Sequence, residues 1–203
     1  MAEVLERPKT VDPETLRGRP NLNQTPLGPS GKWTLEKVLA LSAEECIELW
    51  GGLPSPTLEE MNGHYMGLGA NGDSEQRQAG FAKSMFNEHS NIGHWLGKAF
   101  HPTSATAGEG YNRYRYPGNR IVHNQRMLTR VQNSIIDGKP AYVLDYHAMN
   151  PNWSLFDEVR RLDDGVYIGT ATWAAPGGGR TKQGAFLLVG PTDWWVGGPY
   201  EGE

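Results

Sequence analysis

The stretch Tyr142–Arg161, YVLDYHAMNPNWSLFDEVRR, decides the predicted fold of this 203-residue chain. It begins as an alternating apolar segment, breaks around Pro151, and resumes as a second alternating segment at Phe156. Alternate residues of a strand point to the same face of a sheet, so each segment has two distinct faces. The pattern therefore predicts two neighbouring strands joined at a bend, each with ionisable residues two apart.

Outward from this stretch, the same signals predict a mainly β protein. Turn sequences at Pro117-Gly118-Asn119, Asp137-Gly138 and Asp163-Asp164-Gly165 separate short strand-like runs. The predicted strands cover residues 63–70, 95–100, 111–116, 120–136, 140–146, 155–162, 166–173 and 183–190. An antiparallel sheet of this size commonly closes because closure removes its edges. A roughly eight-stranded antiparallel barrel follows, with an interior wide enough for one small ligand.

Helical signals lie near the N-terminal side of the barrel. Ser42 and Glu45 fit a capping box, residues 33–41 suit a short helix, and Asp73 can cap a helix over 73–88, which gives two or three short helices. The predicted division is an extended or disordered N-terminal arm (1–32), a single barrel domain (33–190) and a tail (191–203) with two tryptophans.

Composition excludes several classes of function. The net charge of −4, without a lysine and arginine run, gives no basic surface for nucleic acid or an anionic membrane. No segment reaches the roughly 20 apolar residues of a membrane span, and the N-terminus lacks an apolar signal core. A single cysteine, Cys46, excludes an internal disulfide and fits the apolar stripe of a helix. We expect a soluble, cytoplasmic protein.

Three spaced motifs resemble one family of small β-barrel proteins. LWGGLPSPTLEEMNGHYMG (residues 49–67) resembles the opening of the GXWXG domain, with Tyr65 where that family has tryptophan. WLGKAF (95–100) resembles its Trp-Tyr-Gly-Lys-x-Phe element, and residues 142–173 resemble an element of the adjoining DUF4334 domain. The resemblance covers roughly residues 43–189 and implies a lipocalin-like (calycin-type) barrel, without naming a reaction.

Four residues are candidates for catalysis: His147, Asp145, Glu158 and His123. An acid two residues from a histidine on one strand face can orient the imidazole, which suits a general base. The alternative for that pair is a solvated strand end beside the proline bend. His123 lies on a strand that is polar on both faces, which predicts either an edge strand or the lining of a polar cavity.

Glu158 and Arg160 share a strand face with Phe156. If that face points inward, Glu158 would have a shifted pKa and Arg160 could hold a carboxylate or a developing oxyanion. A mutually neutralising structural pair is the alternative. Asp157 and Arg161 lie on the opposite face and are predicted to be surface charges.

Further residues are candidates for substrate binding. Lys98 could bind an anion or form a Schiff base, although alternation puts Trp95 and Gly97 on its opposite face and an outward lysine is the alternative. The complete predicted set of binding residues is Arg126, Arg160, Lys98, Trp95, Tyr142, Tyr146 and Trp173.

The leading hypothesis is an enzyme that needs no cofactor, since the sequence has no nucleotide loop, nucleophile elbow or short-range metal motif. It would bind a small hydrophobic molecule, of aromatic, terpenoid or polyketide type, and catalyse acid/base isomerisation, lyase or cyclisation chemistry. One alternative is a non-catalytic, lipocalin-like carrier or sensor, and another is a haem-binding barrel. We expect a second copy of the chain as a partner, in a homodimer, and we expect neither nucleic acid nor a membrane as a partner.

Overall fold

The structure is a computed structural model that describes residues 24–70, residue 83 and residues 93–201. Within these residues, eight antiparallel strands pair in chain order, and pairing of the first with the last closes the barrel. The strands are β1 Gly63–Gly69, β2 His94–Pro102, β3 Gly108–Tyr116, β4 Arg120–Asn133, β5 Pro140–Asp145, β6 Phe156–Asp163, β7 Val166–Thr172 and β8 Gly184–Asp193. The predicted mainly β, eight-stranded antiparallel barrel is confirmed.

The strands end where the sequence places glycine in tight turns. Gly138, between β4 and β5, has φ 73°, and Gly165, between β6 and β7, has φ 78°. Both values lie in the left-handed region, which glycine adopts without a steric penalty. These turns set the register of their hairpins, and the strand boundaries therefore follow the sequence signals closely.

Two short helices, α1 Leu35–Leu39 and α2 Ala43–Trp50, precede the barrel. The predicted capping box is present, because Ser42 Oγ accepts from the Glu45 backbone N–H and Glu45 Oε2 accepts from that of Ser42. Cys46 and Trp50 of α2 pack in an apolar cluster outside the barrel. Among the described residues, no helix has the length and apolar character that a membrane crossing needs.

Two predictions lie largely outside the described residues: the helix over 73–88, apart from residue 83, and residues 1–23 of the predicted arm. The described part of that arm contacts the barrel domain. Leu27 packs against the outer apolar cluster, and its backbone N–H donates to Trp33 O at 2.8 Å.

Among the described residues, the barrel interior is packed at one end and open at the other. Aromatic rings fill the end where β1 begins: Tyr65 packs against Phe100 and Tyr167, and Phe100 packs edge-on against Tyr142, with ring centroids 5.5–5.6 Å apart. Such tilted and edge-to-face arrangements fill space without face-on repulsion. Free space remains at the opposite end, where β1 ends and β2 begins.

Two β-bulges change the alternation of side chains at this open end. In β2 the register shifts between Trp95 and Gly97, whose φ is 127°. In β4 two residues, Gln125 and Arg126, oppose Tyr111, and Gln125 has φ 53°. A bulge inserts one residue and redirects the side chains next to it. Trp95 therefore faces the interior together with Lys98, and Gln125 also faces inward.

Candidate functional site

A cavity of about 260 Å³ lies inside the open end of the barrel. Its walls are mainly aromatic and aliphatic, with a cluster of polar side chains among them. The lining residues are Trp95, Lys98, Asn112, Tyr114, Gln125, Tyr146, Leu155, Asp157, Ala171, Trp173, Gly184, Ala185 and Phe186. An apolar pocket with a few convergent polar groups is typical of a small-molecule site.

A larger depression of about 810 Å³ lies between residues 55–59 and residues 102–106. Glu59 is the ionisable residue in its described lining, and that side chain is exposed. The cavity at the open end is the better candidate because it brings buried ionisable groups together.

Lys98 and Asp157 form the centre of the polar cluster. Lys98 Nζ lies 3.0 Å from Asp157 Oδ2, and the two residues are 4% and 2% exposed. Lys98 Nζ also donates to Tyr146 OH at 2.6 Å and to Asn112 Oδ1 at 3.0 Å. The three donors of the ammonium group therefore have three acceptors, which fixes the position and orientation of Lys98.

Tyr146 and Asn112 are also held by several hydrogen bonds. Tyr146 OH donates to Asp157 Oδ2 at 2.9 Å and accepts from Asn112 Nδ2 at 3.2 Å. Asn112 Oδ1 accepts a second hydrogen bond, from Trp95 Nε1 at 3.0 Å. These shared hydrogen bonds hold Lys98, Tyr146 and Asn112 in one arrangement.

The second carboxylate oxygen of Asp157, Oδ1, differs from the other polar atoms of the cluster. Asp157 Oδ1 is buried and accepts no hydrogen bond from any group in the described part of the chain. A buried acceptor without a partner costs about 1–3 kcal/mol, and more when it is charged. Asp157 is also a lining residue of the cavity, so this buried acceptor without a partner belongs to the cavity wall.

The electrostatics follow from burial and from the ion pair. Burial lowers the pKa of Lys98, whereas the Asp157 carboxylate opposes that shift. Burial and the same carboxylate raise the pKa of Tyr146 well above its usual value, so its phenol stays protonated. The Lys98 ammonium also lies 4.9 Å from the ring centroid of Phe186 and 5.6 Å from that of Trp95. Such contacts favour the charged amine.

A second polar pair, Tyr114 and Gln125, also lines the cavity. Tyr114 OH donates to Gln125 Oε1 at 2.7 Å, and burial raises the pKa of Tyr114. The hydrogen bond fixes the Gln125 amide at the bulge. Gln125 is a non-glycine residue in the left-handed region, and such strained positions cluster at ligand sites.

Asp145 and His147 do not meet in the cavity. Asp145 is paired with Arg130 at 3.1 Å on the outer side of the barrel. His147 is exposed, and its Nδ1 lies 3.2 Å from Trp153 O. Their predicted catalytic roles stay predictions, and the arrangement corresponds to the solvated strand end that was the alternative.

Glu158 and Arg160 are buried, but on the outer side of the barrel wall and away from the cavity lining. Arg160 forms a bidentate pair with Asp137 at 2.7 and 2.8 Å, donates to Trp50 O, and stacks over the Trp50 ring. Glu158 accepts from Ser134 Oγ and from the backbone N–H at residue 135, and burial raises its pKa. Both residues fix the β4–β5 turn to the barrel.

His123 and Arg126 also lie on the outer side of the barrel. The His123 ring stacks on Tyr111 with centroids 4.2 Å apart, and its Nδ1 lies 2.8 Å from Gly197 O in the tail. Arg126 pairs with Glu109 at 3.1 Å and lies over the ring of Tyr200. These contacts hold the C-terminal tail. Their strand β4 pairs on both sides, which excludes the edge-strand alternative, and Gln125 of the same strand lines the cavity.

The structure does bring four predicted binding residues together: Lys98, Trp95, Tyr146 and Trp173. Tyr142 belongs to the packed aromatic end instead. The prediction that Asp157 is a surface charge is wrong, because Asp157 is 2% exposed and faces the barrel interior. The sequence did not indicate Asn112 as a site residue, and for Gln125 the one signal is the polar character of both faces of its strand.

The described residues contain no group of three or more histidine, cysteine, aspartate or glutamate side chains arranged to hold a metal ion. The described lining of the cavity also has no histidine that could ligate haem.

Comparisons with known proteins add little. No family model matches the chain, and no curated protein matches it. One similar solved structure is described as the crystal structure of a protein from Thermomonospora curvata. It is 20% identical, the match covers 76% of this chain and 94% of that one, and the TM-score is 0.48. A similarity at this level carries no argument about function, and the resemblance to GXWXG and DUF4334 domains stays a prediction.

Proposed function

We propose that the barrel is an enzyme without a cofactor, which binds a small, largely apolar molecule in the cavity and moves a proton on it. Asp157 is the proton acceptor. The observation that carries the proposal is that Asp157 lines the cavity and that its buried Oδ1 has no hydrogen-bond partner among the described residues. A general base must lie within hydrogen-bond reach of the proton it removes, and a ligand in the cavity would supply the partner that this oxygen lacks.

The rest of the cluster positions this base. Oδ2 is held by Lys98 at 3.0 Å and by Tyr146 at 2.9 Å, so the carboxylate cannot rotate freely. Oδ1 would take a proton from an acidic C–H or O–H of the ligand and return it to another atom of the same molecule. Such a transfer is an isomerisation, and the same first step begins lyase and cyclisation reactions.

The ion pair also argues against a purely apolar ligand. Burying a lysine and an aspartate costs desolvation free energy that their attraction offsets only partly. A carrier of a hydrocarbon could instead line its cavity with apolar side chains and gain stability. The buried charges are therefore more consistent with chemistry or with recognition of a polar group.

A non-catalytic carrier is the second candidate, and one observation favours it. All three donors of the Lys98 ammonium are used within the cluster. The ammonium thus has no donor left for a negative charge that develops on the ligand, although such stabilisation is commonly a large part of enzymatic catalysis. In this case Asp157 would only orient the ligand.

The resemblance to the GXWXG and DUF4334 domains belongs to the same proposal. It is supported by the positions of its motifs, since GHYMG lies in β1 and WLGKAF in β2, where Trp95 and Lys98 line the cavity.

The test begins with native mass spectrometry of the purified protein, to detect and identify a retained molecule. That molecule is then incubated with the protein in D₂O, and deuterium incorporation at carbon is measured. We expect wild-type protein to catalyse exchange and Asp157→Asn to be slower by about 10²-fold or more.

Asp164→Asn is the matched control, because that acid lies in a turn with 65% of its side chain exposed. It should exchange at the wild-type rate. Retention of a molecule without exchange would favour the carrier. If no molecule is retained and no naphthalene-sized probe binds, the proposal that the cavity binds a small molecule is wrong.

A further inference from the structure

The charge distribution around Asp157 Oδ1 restricts the chemical class of the ligand. We propose that the ligand is a hydroxylated aromatic compound of one or two rings, a phenol or an enol of similar shape, whose O–H donates to Asp157 Oδ1. This inference rests on the proposed function, since it concerns the same cavity, and it names the group that the cavity recognises.

An anionic ligand does not suit the polar end of the cavity. The free oxygen there belongs to a carboxylate, which repels a second negative charge at close range. Lys98 cannot compensate, because its three N–H groups are directed at Asp157, Tyr146 and Asn112. The expectation that Lys98 binds an anion therefore loses its support.

A cationic ligand is also disfavoured. Lys98 Nζ lies 3.0 Å from the other oxygen of the same carboxylate. A ligand ammonium at Oδ1 would add a second positive charge near the first, in a cavity whose walls offer mainly apolar surface. A neutral donor avoids this repulsion and still satisfies the buried oxygen. Hydrogen bonds from neutral O–H donors to carboxylates are short and strong.

The walls select a planar apolar body. Trp95 and Phe186 meet edge-on with centroids 6.2 Å apart, and Trp173 and Tyr114 also line the space. Aromatic side chains favour stacked or edge-to-face contact with another ring. The volume of about 260 Å³ lies below the roughly 300–1,000 Å³ that drug-sized ligands occupy. One or two rings with a hydroxyl group fit these limits.

Three probes with the same naphthalene body test the inference on the full-length wild-type protein. 2-Naphthol offers an O–H donor, 2-methoxynaphthalene has no donor, and naphthalene-2-carboxylate is an anion. Affinities are measured by fluorescence titration at neutral pH. We expect 2-naphthol to bind about 10-fold or more tightly than 2-methoxynaphthalene, because only 2-naphthol satisfies Oδ1. The carboxylate should bind more weakly than 2-naphthol.

The Asp157→Asn variant provides the second measurement. It keeps the shape of the side chain but removes the charge that strengthens the hydrogen bond. The preference for 2-naphthol over 2-methoxynaphthalene should fall to about 3-fold or less. Circular dichroism checks that the variant is folded. If the variant does not fold, the relative affinities of wild-type protein for 2-naphthol and 2-methoxynaphthalene still test the inference.

The outcomes separate the two proposals. Equal binding of 2-naphthol and 2-methoxynaphthalene would overturn the inference but leave ligand binding intact. Tightest binding of the carboxylate would overturn it as well and show that the site takes anions. Failure of all three probes to bind would contradict the inference together with the proposed function.

Discussion

Asp157 and Glu158 are consecutive residues of β6 whose buried carboxylates lie on opposite sides of the barrel wall. Asp157 faces the cavity and pairs with Lys98, whereas Glu158 accepts hydrogen bonds from the β4–β5 turn outside the barrel. Both are at most 2% exposed. The wall is therefore covered on both sides at this point, and each carboxylate has its own set of partners.

Removal of Lys98 alone should be strongly destabilising. Lys98→Met leaves Asp157 as a buried charge without a counter-ion, which typically costs about 3–5 kcal/mol in the free energy of unfolding. The double variant Lys98→Met/Asp157→Leu should recover more than half of that loss, because it removes both charges. Urea denaturation at neutral pH measures both. Equal losses in the single and double variants would contradict this prediction.

Stability should fall in mild acid because of His64. Burial, followed by the nearby Arg113, lowers the pKa of His64 to about 4 in the folded protein, against about 6.5 in an unfolded chain. The unfolded chain therefore takes up the proton first as the pH falls. The stability contribution of neutral His64 is complete above about pH 6.5 and is lost as the pH falls to about 4.

Urea denaturation of wild type and His64→Gln at several pH values checks this effect. Between pH 7 and pH 4.5 we expect wild type to lose about 2 kcal/mol more than the variant. His147→Gln is the control because that histidine is exposed, and its curve should parallel that of wild type. Parallel curves for wild type and His64→Gln would contradict the prediction.

Gly169→Ala should reduce the cavity. A Cβ at Gly169 would lie 2.1 Å from Cζ of the Phe186 ring, so the ring has to move, and the cavity is the adjoining free space. Overpacking of this kind costs about 1–3 kcal/mol, and affinity for 2-naphthol should fall several-fold. Gly52→Ala is the control, since its Cβ would have only ordinary contacts. Unchanged affinity in Gly169→Ala would argue that ligands bind elsewhere.

Gln125→Gly should separate stability from binding. Glycine relieves the left-handed backbone at φ 53°, which costs a larger residue about 1 kcal/mol or more. That gain offsets the loss of the hydrogen bond to Tyr114, so we expect little change in thermal stability but weaker binding of 2-naphthol. Asn119→Gly, at φ 59° in a turn between β3 and β4, should leave binding unchanged. A large loss of stability in Gln125→Gly would contradict the assignment of strain.

The strands could be predicted because local signals determine them. Gly138 and Gly165 mark turns whose conformation few other residues adopt, and the alternating runs between them need only local information. Ser42 and Glu45 likewise specify the start of α2 within four residues. These features depend on neighbours in sequence, and sequence alone reveals them.

The site could not be predicted in the same way. Alternation puts Asp157 and Glu158 on opposite faces of β6 but does not show which of them points into the barrel. Because both faces of this strand are buried, the usual contrast between an apolar inner face and a polar outer face is absent. At Trp95 and Gln125 the bulges break alternation altogether. A β-bulge depends on pairing between strands, so a single strand's sequence gives little sign of it.

The contacts of Arg160 have a consequence for how the protein unfolds. Arg160 of β6 donates to Trp50 O, and Lys139 of the β4–β5 turn donates to Gly51 O, so side chains of the barrel domain satisfy carbonyl groups at the end of α2. Detachment of the helix would leave a fully buried guanidinium group and these carbonyls to find new partners. Helix and barrel therefore form one cooperative unit, and we expect the amides of this eight-residue helix to exchange with solvent only as fast as the strands beneath it.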